Sequence, residues 1–335
     1  MAAYKKPTTQ ELIDGILSGD RFKLSRAITL VESTNPKHQQ QAQDIIEACL
    51  PKSGRSIRVG VTGVPGVGKS TFIEALGQHL TAQGHKLAVL AVDPTSSVSG
   101  GSILGDKTRM EKLSNNPNAF IRPSASGETV GGVARKTRES IYLCEAAGYD
   151  VILVETVGVG QSGVAVHGMV DFFLLLMLAG AGDELQGMKR GIMEMADAVV
   201  INKADGDNKK PAEQARMNYK HALHLFPAQA SKWTPQVLTC SSTEGTHIDL
   251  VWEKVEDYIT LTRENGYLQQ QRQEQNAFWL KETIDQRLRH WFYGHEAVRQ
   301  QFMNLNQAVR SGDKSSFAAA DLLMKNFIEA VKKES

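Results

Sequence analysis

The sequence predicts an α/β protein: a mostly parallel sheet flanked by helices, with a helical N-terminal extension and a helical C-terminal tail. Three observations carry this. Between about residues 56 and 258, short apolar runs alternate with stretches at helical spacing. Several of the runs are continuously apolar rather than alternating, as in parallel strands covered on both faces. At both ends of the chain the apolar residues recur only at helical intervals. The 335 residues suffice for one large domain with additions, and we place the divisions at 1–50, 51–262 and 263–335.

The extension reads as three helices. Thr8 and Glu11 form a candidate capping box, with Leu12, Ile13, Ile16 and Leu17 on one face before Gly19. Asp20 opens a second helix with Leu24, Ala27, Ile28 and Val31 inward. Asn35-Pro36 opens a third, with Ala42, Ile45, Ile46 and Cys49 at helical spacing. Buried strands are expected at 58–62, 87–92, 151–155, 172–178, 198–202 and 236–240, with helices between them at 70–83, 135–147 and 211–225. From about residue 262 the pattern is helical again. Leu280, Ile284, Leu288 and Trp291 share one stripe, and Ala320, Leu323, Met324, Phe327, Ile328 and Val331 another. A tail too small for a core of its own should pack on another surface, and a homodimer interface is the expectation.

Composition narrows the function classes. With 41% hydrophobic and 22% charged residues the chain has the make-up of an ordinary globular protein, and a net charge of +1 gives no reason to expect nucleic-acid binding. The first seven residues have no apolar core behind them, and the longest apolar run, 172–181, is too short to span a bilayer. A cytoplasmic protein with no membrane and no nucleic-acid partner is expected. Cys49, Cys144 and Cys240 are widely spaced with no C-x-x-C, which suits buried thiols.

The chemistry starts at Gly63-Val64-Pro65-Gly66-Val67-Gly68-Lys69-Ser70, followed by Thr71. The pattern G-x-x-x-x-G-K-[ST] lies between a predicted strand and a predicted helix, where it forms a phosphate cradle. The glycines let backbone N–H groups approach the phosphates, Lys69 would reach the β/γ-phosphates, and the Ser70 hydroxyl would ligate Mg²⁺. The chain is therefore read as a P-loop protein that binds a nucleoside triphosphate.

Asn202-Lys203-Ala204-Asp205 follows directly on the predicted strand at 198–202. N-K-x-D reads guanine, because one carboxylate accepts both the ring N–H and the exocyclic amine, a donor pair that adenine lacks. Ser241, Ser242 and Thr243 end the next strand, where a backbone N–H can meet the guanine O6. GTP and GDP are the expected nucleotides. Glu155 closes the strand at 151–155, beside the P-loop, as a Mg²⁺-shell carboxylate; most P-loop GTPases carry Asp there, and the longer side chain favours contact through water. Gly158 could sense the γ-phosphate. Asp93 ends the strand at 87–92 as a second Mg²⁺-shell candidate. The Ser/Gly-rich loop 94–109 and the loop 180–189 could order around a triphosphate.

Weaker signals are read conservatively. His221 and His224 are taken as surface residues, Arg135–Glu139 as an ordinary i, i+4 pair, and Gln161 and His167 as candidates to position a water. With no Gln directly after Gly158, intrinsic hydrolysis should be slow.

Together, the P-loop, Val92-Asp93-Pro94-Thr95-Ser96-Ser97, Glu155-Thr156-Val157-Gly158 with Gln161-Ser162, and Asn202-Lys203-Ala204-Asp205 resemble the ArgK/MeaB GTPases. The likeness extends over nearly the whole chain. It implies a G-protein chaperone of adenosylcobalamin-dependent methylmalonyl-CoA mutase, acting in cofactor loading, protection or reactivation and dimerising through its C-terminal helices. It further implies that Lys69, Ser70, Asp93, Asp106 and Glu155 form the phosphate and Mg²⁺ site, with Lys69, Asp106 and Glu155 closest to the chemistry. By the same likeness, loop 180–189 is an extra switch. An older label of the family gives one alternative, an ATPase or kinase acting on an arginine/ornithine transport protein. The related nickel-insertion proteins give another, a metallochaperone-like GTPase, for which no convincing Cys/His site is present.

Overall fold

The computed structural model describes residues 7–92, 110–123, 130–156, 161–180 and 190–334. It divides into two compact units, Met1–Gln275 and Asn276–Ser335.

The first unit holds a seven-stranded sheet. Its strands are β1 (Ile57–Gly63), β2 (Leu87–Val92), β3 (Ala119–Arg122), β4 (Val151–Thr156), β5 (Phe172–Leu178), β6 (Ala198–Asn202) and β7 (Gln236–Thr239). They lie in the order β3-β2-β4-β1-β5-β6-β7, and every pairing is parallel. Strand β1 is central, paired through Val61 with Glu155 of β4 and with Leu174 of β5. The β1, β4, β5 and β6 residues are buried almost throughout, which explains the unbroken apolar runs. Six strands were expected from the sequence, several of them as such runs. Strand β3 was not: four residues between Asn118 and Pro123 are too short to show a pattern.

The extension consists of α1 (Thr9–Leu17), α2 (Arg21–Glu32) and α3 (Pro36–Cys49), and the first unit includes them. The Thr8–Glu11 capping box forms in both directions, Asp20 caps α2 through the N–H groups of Phe22 and Lys23, and Asn35 caps α3 with Pro36 in its first turn. Leu12, Ile16, Leu24, Ala27, Ile28, Val31, Ala42, Ile45 and Cys49 are buried; Leu17, expected inward, is exposed. Helix α4 (Lys69–Ala82) follows the P-loop, and α5 (Glu111–Ser114) precedes β3. Helices α6 (Val130–Ala146), α7 (Gln161–His167), α8 (Arg190–Met195), α9 (Lys209–Leu223) and α10 (Ile248–Glu264) complete the covering layers.

The strands are registered at their N-terminal ends by carboxylates. Asp150, Asp171 and Asp197 stand immediately before β4, β5 and β6 and accept the backbone N–H groups of Lys86, Arg58 and Phe173 at 2.8, 2.9 and 2.8 Å. Beneath β1, the buried Arg58 donates to both oxygens of Glu145, at 2.8 and 2.9 Å, and Glu145 also accepts from the Gly54 N–H and the Ser56 hydroxyl. Burial works to lower the Arg58 pKa, and the Glu145 carboxylate outweighs it, leaving the guanidinium above its usual value. Arg272, on the long helix α11 (Tyr267–Gly294), grips both oxygens of Asp171 and the carbonyls of Gly54 and Ser56.

The second unit contains the C-terminal part of α11, α12 (Glu296–Arg310) and α13 (Ser316–Glu334). It does form a small core, contrary to expectation: Val298, Leu323 and Phe327 are buried, and Phe292, Leu305 and Val331 pack on them. Phe327 meets Trp291, Phe292 and His295 edge-on at 4.8, 5.1 and 5.2 Å, an arrangement aromatic rings favour. Within this unit the stripe Leu280, Ile284, Leu288 and Trp291 is about half exposed.

Candidate nucleotide site

At the C-terminal edge of the sheet the chain leaves β1 into the glycine loop. A Cβ on Gly63 would stand 2.5 Å from the Leu176 carbonyl oxygen, so the loop can turn over β5 only with glycine there. Gly68, at φ +93°, caps α4, and a Cβ on it would approach the Asn202 side-chain nitrogen at 3.0 Å. The helix ladder begins with the Phe72 N–H donating to the Gly68 carbonyl at 2.8 Å. The amides of Lys69, Ser70 and Thr71 precede that bond, so the helix offers them no carbonyl and they face the loop as anion-binding donors.

Lys69 Nζ lies in the loop's mouth, donating to the carbonyls of Gly63 and Val64 at 2.9 and 3.3 Å. Burial lowers its pKa and the nearby Glu155 carboxylate opposes that. Ser70 Oγ donates to Glu155 Oε1 at 3.1 Å. The buried Glu155 therefore stands where the sequence predicted, beside the P-loop, and reaches Ser70 directly. A hydroxyl and a carboxylate in contact are the hard oxygen donors that suit Mg²⁺, so these residues fit that ion.

Asn202 ends β6 two strands away and joins the two halves of the site. Its Nδ2 donates to the Val67 carbonyl at 2.9 Å. Its Oδ1 accepts from the Ser242 hydroxyl at 2.7 Å, the Ser242 N–H at 3.2 Å and the Cys240 thiol at 3.4 Å. Lys203, at φ +59°, sends Nζ to the Gly66 carbonyl at 2.9 Å. Asp205 Oδ2 accepts the hydroxyls of Ser241 and Thr243 at 2.5 and 3.1 Å. The chain after β7 thus orients the Asp205 carboxylate with side chains, a role beyond the backbone contact expected of residues 241–243. An isolated bridge between Ser241 and Thr246 closes that turn.

Gly63, Val64, Pro65, Gly66, Val67, Gly68, Lys69, Ser70, Thr71, Glu155, Asn202, Lys203, Asp205, Ser241, Ser242 and Thr243 all lie along one edge of the sheet, on β1, β4, β6 and β7 or directly after them. Asp93, Asp106, Gly158 and the loops 94–109 and 181–189 lie outside the described residues. His167 does not join the site. It ends α7, its ring meets Phe173 edge-on at 5.5 Å, and burial lowers its pKa. Phe173 pairs with Gly60, in the middle of β1 rather than at the P-loop end. His221 and His224 are exposed, and Arg135 pairs with Glu139 at 3.0 Å. The contact missed by sequence reasoning is a buried hydroxyl pair, Thr156 Oγ1 donating to Thr62 Oγ1 at 2.8 Å. Threonine beside each nucleotide motif was the available signal.

Comparison with known proteins decides the family. Residues 24–297 match the family model described as methylmalonyl-CoA mutase-associated GTPase MeaB. The chain belongs to the MeaB family. It is 46% identical to the protein named GTPase ArgK of Escherichia coli, over 92% of this chain and 93% of that one. It is also 46% identical to the mouse methylmalonic aciduria type A homolog, mitochondrial, over 94% of this chain and 79% of that one. Among solved structures, one described as a LAO/AO transport system kinase superposes with a TM-score of 0.75 at 39% identity, covering 98% of this chain and all of that one. Membership of the MeaB family, with this P-loop fold, supports nucleotide hydrolysis as its activity. No helix among the described residues is long and apolar enough to cross a membrane.

Proposed function

We propose that the chain is a GTP-hydrolysing switch that assists an adenosylcobalamin-dependent methylmalonyl-CoA mutase. The observation that carries the guanine assignment is the Asp205 carboxylate, held by the Ser241 and Thr243 hydroxyls on a segment that Asn202 ties to the P-loop. A carboxylate fixed in this way pairs with the two N–H donors of guanine and is left unpaired by adenine. In this reading Gly63–Thr71 amides and Lys69 hold the phosphates. Ser70 and Glu155 would hold Mg²⁺, as would Asp93 and Asp106. When bound, Mg²⁺ offsets charge on the phosphate oxygens. Lys69, already desolvated and aimed into the loop, stabilises charge that grows on the β/γ-phosphates as the bond breaks.

The mutase as partner is supported by the family's description and by the name of the mouse relative. A homodimer is supported by the apolar stripe on α11, which the second unit leaves half exposed. Cytoplasmic location belongs to the same reading. The test is co-precipitation with a methylmalonyl-CoA mutase in GDP and in a non-hydrolysable GTP analogue. Association that differs between the two nucleotides is expected; none in either state would sink the chaperone reading. Light scattering showing a monomer at micromolar concentration would count against the dimer.

A second reading, a kinase for a transport protein, takes its support from the likeness to the LAO/AO transport system kinase. Asn202-Lys203-Ala204-Asp205 weighs against it by selecting guanine. Faster hydrolysis of ATP than GTP, with phosphate transfer to a binding protein, would reverse the order of the two.

A further inference from the structure

The hydroxyl pair beneath the P-loop has a use in the proposed cycle. Glu155 and Thr156 are the last two residues of β4, so their side chains leave the sheet on opposite faces. Glu155 meets Ser70 on the α4 face. On the other face Thr156 meets Thr62, one step beyond the Val61–Glu155 pair and directly before Gly63. Both threonines are fully buried. Gly163 of α7 lies over Thr62: a Cβ there would stand 3.8 Å from Thr62 Oγ1 and 3.9 Å from Ile192 Cδ1 of α8. Water is excluded, and a hydrogen bond in that setting is stiff.

We propose that Thr156 is a positioning residue which, through Thr62, holds Glu155 in place over Ser70 for Mg²⁺. The hydroxyl bond fixes how the end of β4 stands against the end of β1. Because Glu155 and Thr156 share one backbone, the Glu155 main chain cannot swing away from Ser70 without pulling Thr156 off Thr62. The inference rests on the reading of this edge as a Mg²⁺–GTP site.

The experiment uses the full chain with Thr156→Val, Thr156→Ser, Thr62→Val and the double valine variant. Affinity for a non-hydrolysable GTP analogue is titrated against Mg²⁺, alongside GDP affinity in EDTA. Thr156→Val is expected to weaken Mg²⁺-dependent binding about tenfold, the factor one buried hydrogen bond commands. GDP binding in EDTA should be unchanged, because the loop amides remain. Thr156→Ser should behave as the parent, and the double valine variant should be no weaker than either single one. A Thr156→Val protein identical to the parent overturns the proposal. So does a parallel fall in both affinities, which would mark a general packing role. Failure of the parent to bind any guanine nucleotide would remove the underlying reading, and this proposal with it.

Discussion

Replacing Asn202 tests whether the proposed base reader and phosphate cradle are one mechanical unit. The side chain is 1% exposed and makes four contacts: it donates to Val67 and accepts from the Ser242 hydroxyl, the Ser242 N–H and the Cys240 thiol. Asn202→Ala leaves the buried Ser242 N–H without that acceptor and the Val67 carbonyl without that donor. At about 1–3 kcal/mol for a polar group left unsatisfied, offset in part by relaxation, the expected loss of stability is about 2–4 kcal/mol. Asn202→Asp keeps the acceptor but turns the donor into an oxygen facing the Val67 carbonyl, so it should cost about as much. Urea denaturation at unchanged m reads the stability. The functional half needs two ligands. Asn202→Ala should weaken inorganic tripolyphosphate as well as GTP, because Val67 belongs to the cradle, whereas Asp205→Asn should weaken GTP alone. Pairing Asn202→Ala with Ser242→Ala should cost about 1 kcal/mol less than the sum of the two. An Asn202→Ala protein within about 0.5 kcal/mol of the parent, or one that binds tripolyphosphate normally, would refute the brace.

Three further outcomes are expected. Asp205→Asn should lower GTP affinity on the order of a hundredfold and narrow the preference over ATP, as competition titration would read, because an amide cannot accept from both guanine donors. Glu145→Gln should destabilise the fold by about 3–5 kcal/mol in urea, since it strips the charge partner from the buried Arg58; a loss under about 1 kcal/mol would mean the pair is solvated. Burial pushes the Asp197 carboxyl up to about 8, with the Phe173 N–H opposing the shift, so the folded chain keeps a proton that the unfolded chain releases near pH 4. That contribution is complete below about pH 4 and falls by about 1.4 kcal/mol per pH unit up to about pH 8, where none of it remains. Asp197→Asn, whose amide carbonyl can still accept from Phe173, should remove that slope between pH 5 and 7; an unchanged slope counts against a neutral Asp197.

What could be read from the sequence was what is contiguous. Gly63–Ser70 and Asn202–Asp205 each carry their chemistry within one stretch of backbone, so their spacing sufficed, and the strands behind them announced themselves as apolar runs. Features that depend on register did not. Asp150, Asp171 and Asp197 each precede an apolar run, yet what they bind is an N–H at the start of a neighbouring strand, which only the strand order β2-β4-β1-β5-β6 decides. Thr62 and Thr156 are separated by 94 positions and meet only because β1 pairs with β4. The aromatic cluster about Phe327 draws on two helices, α11 and α13, and on His295 after α11, whose return path no periodicity states. The hydroxyls of Ser241 and Thr243 were placed correctly along the chain, but their grip on Asp205 follows from β7 lying beside β6.

The two edges of the sheet divide the labour between them. At the C-terminal edge the glycine loop is braced by side chains, with Asn202 Nδ2 donating to the Val67 carbonyl and Lys203 Nζ to the Gly66 carbonyl. At the N-terminal edge β1 and β5 are fixed by charge. Asp171 alone accepts from the Arg58 N–H and from two nitrogens of Arg272, and its neighbour Arg58 is locked to Glu145. A buried ionic cluster of this kind adds little net stability over an apolar one, but it tolerates few alternative registers. Strand β1 ends in that cluster on one side and in the P-loop on the other, so Lys69 and Ser70 start from a strand that cannot slide. Weakening the cluster should therefore blur the phosphate site, even though the nearest of its charges lies at the far end of β1.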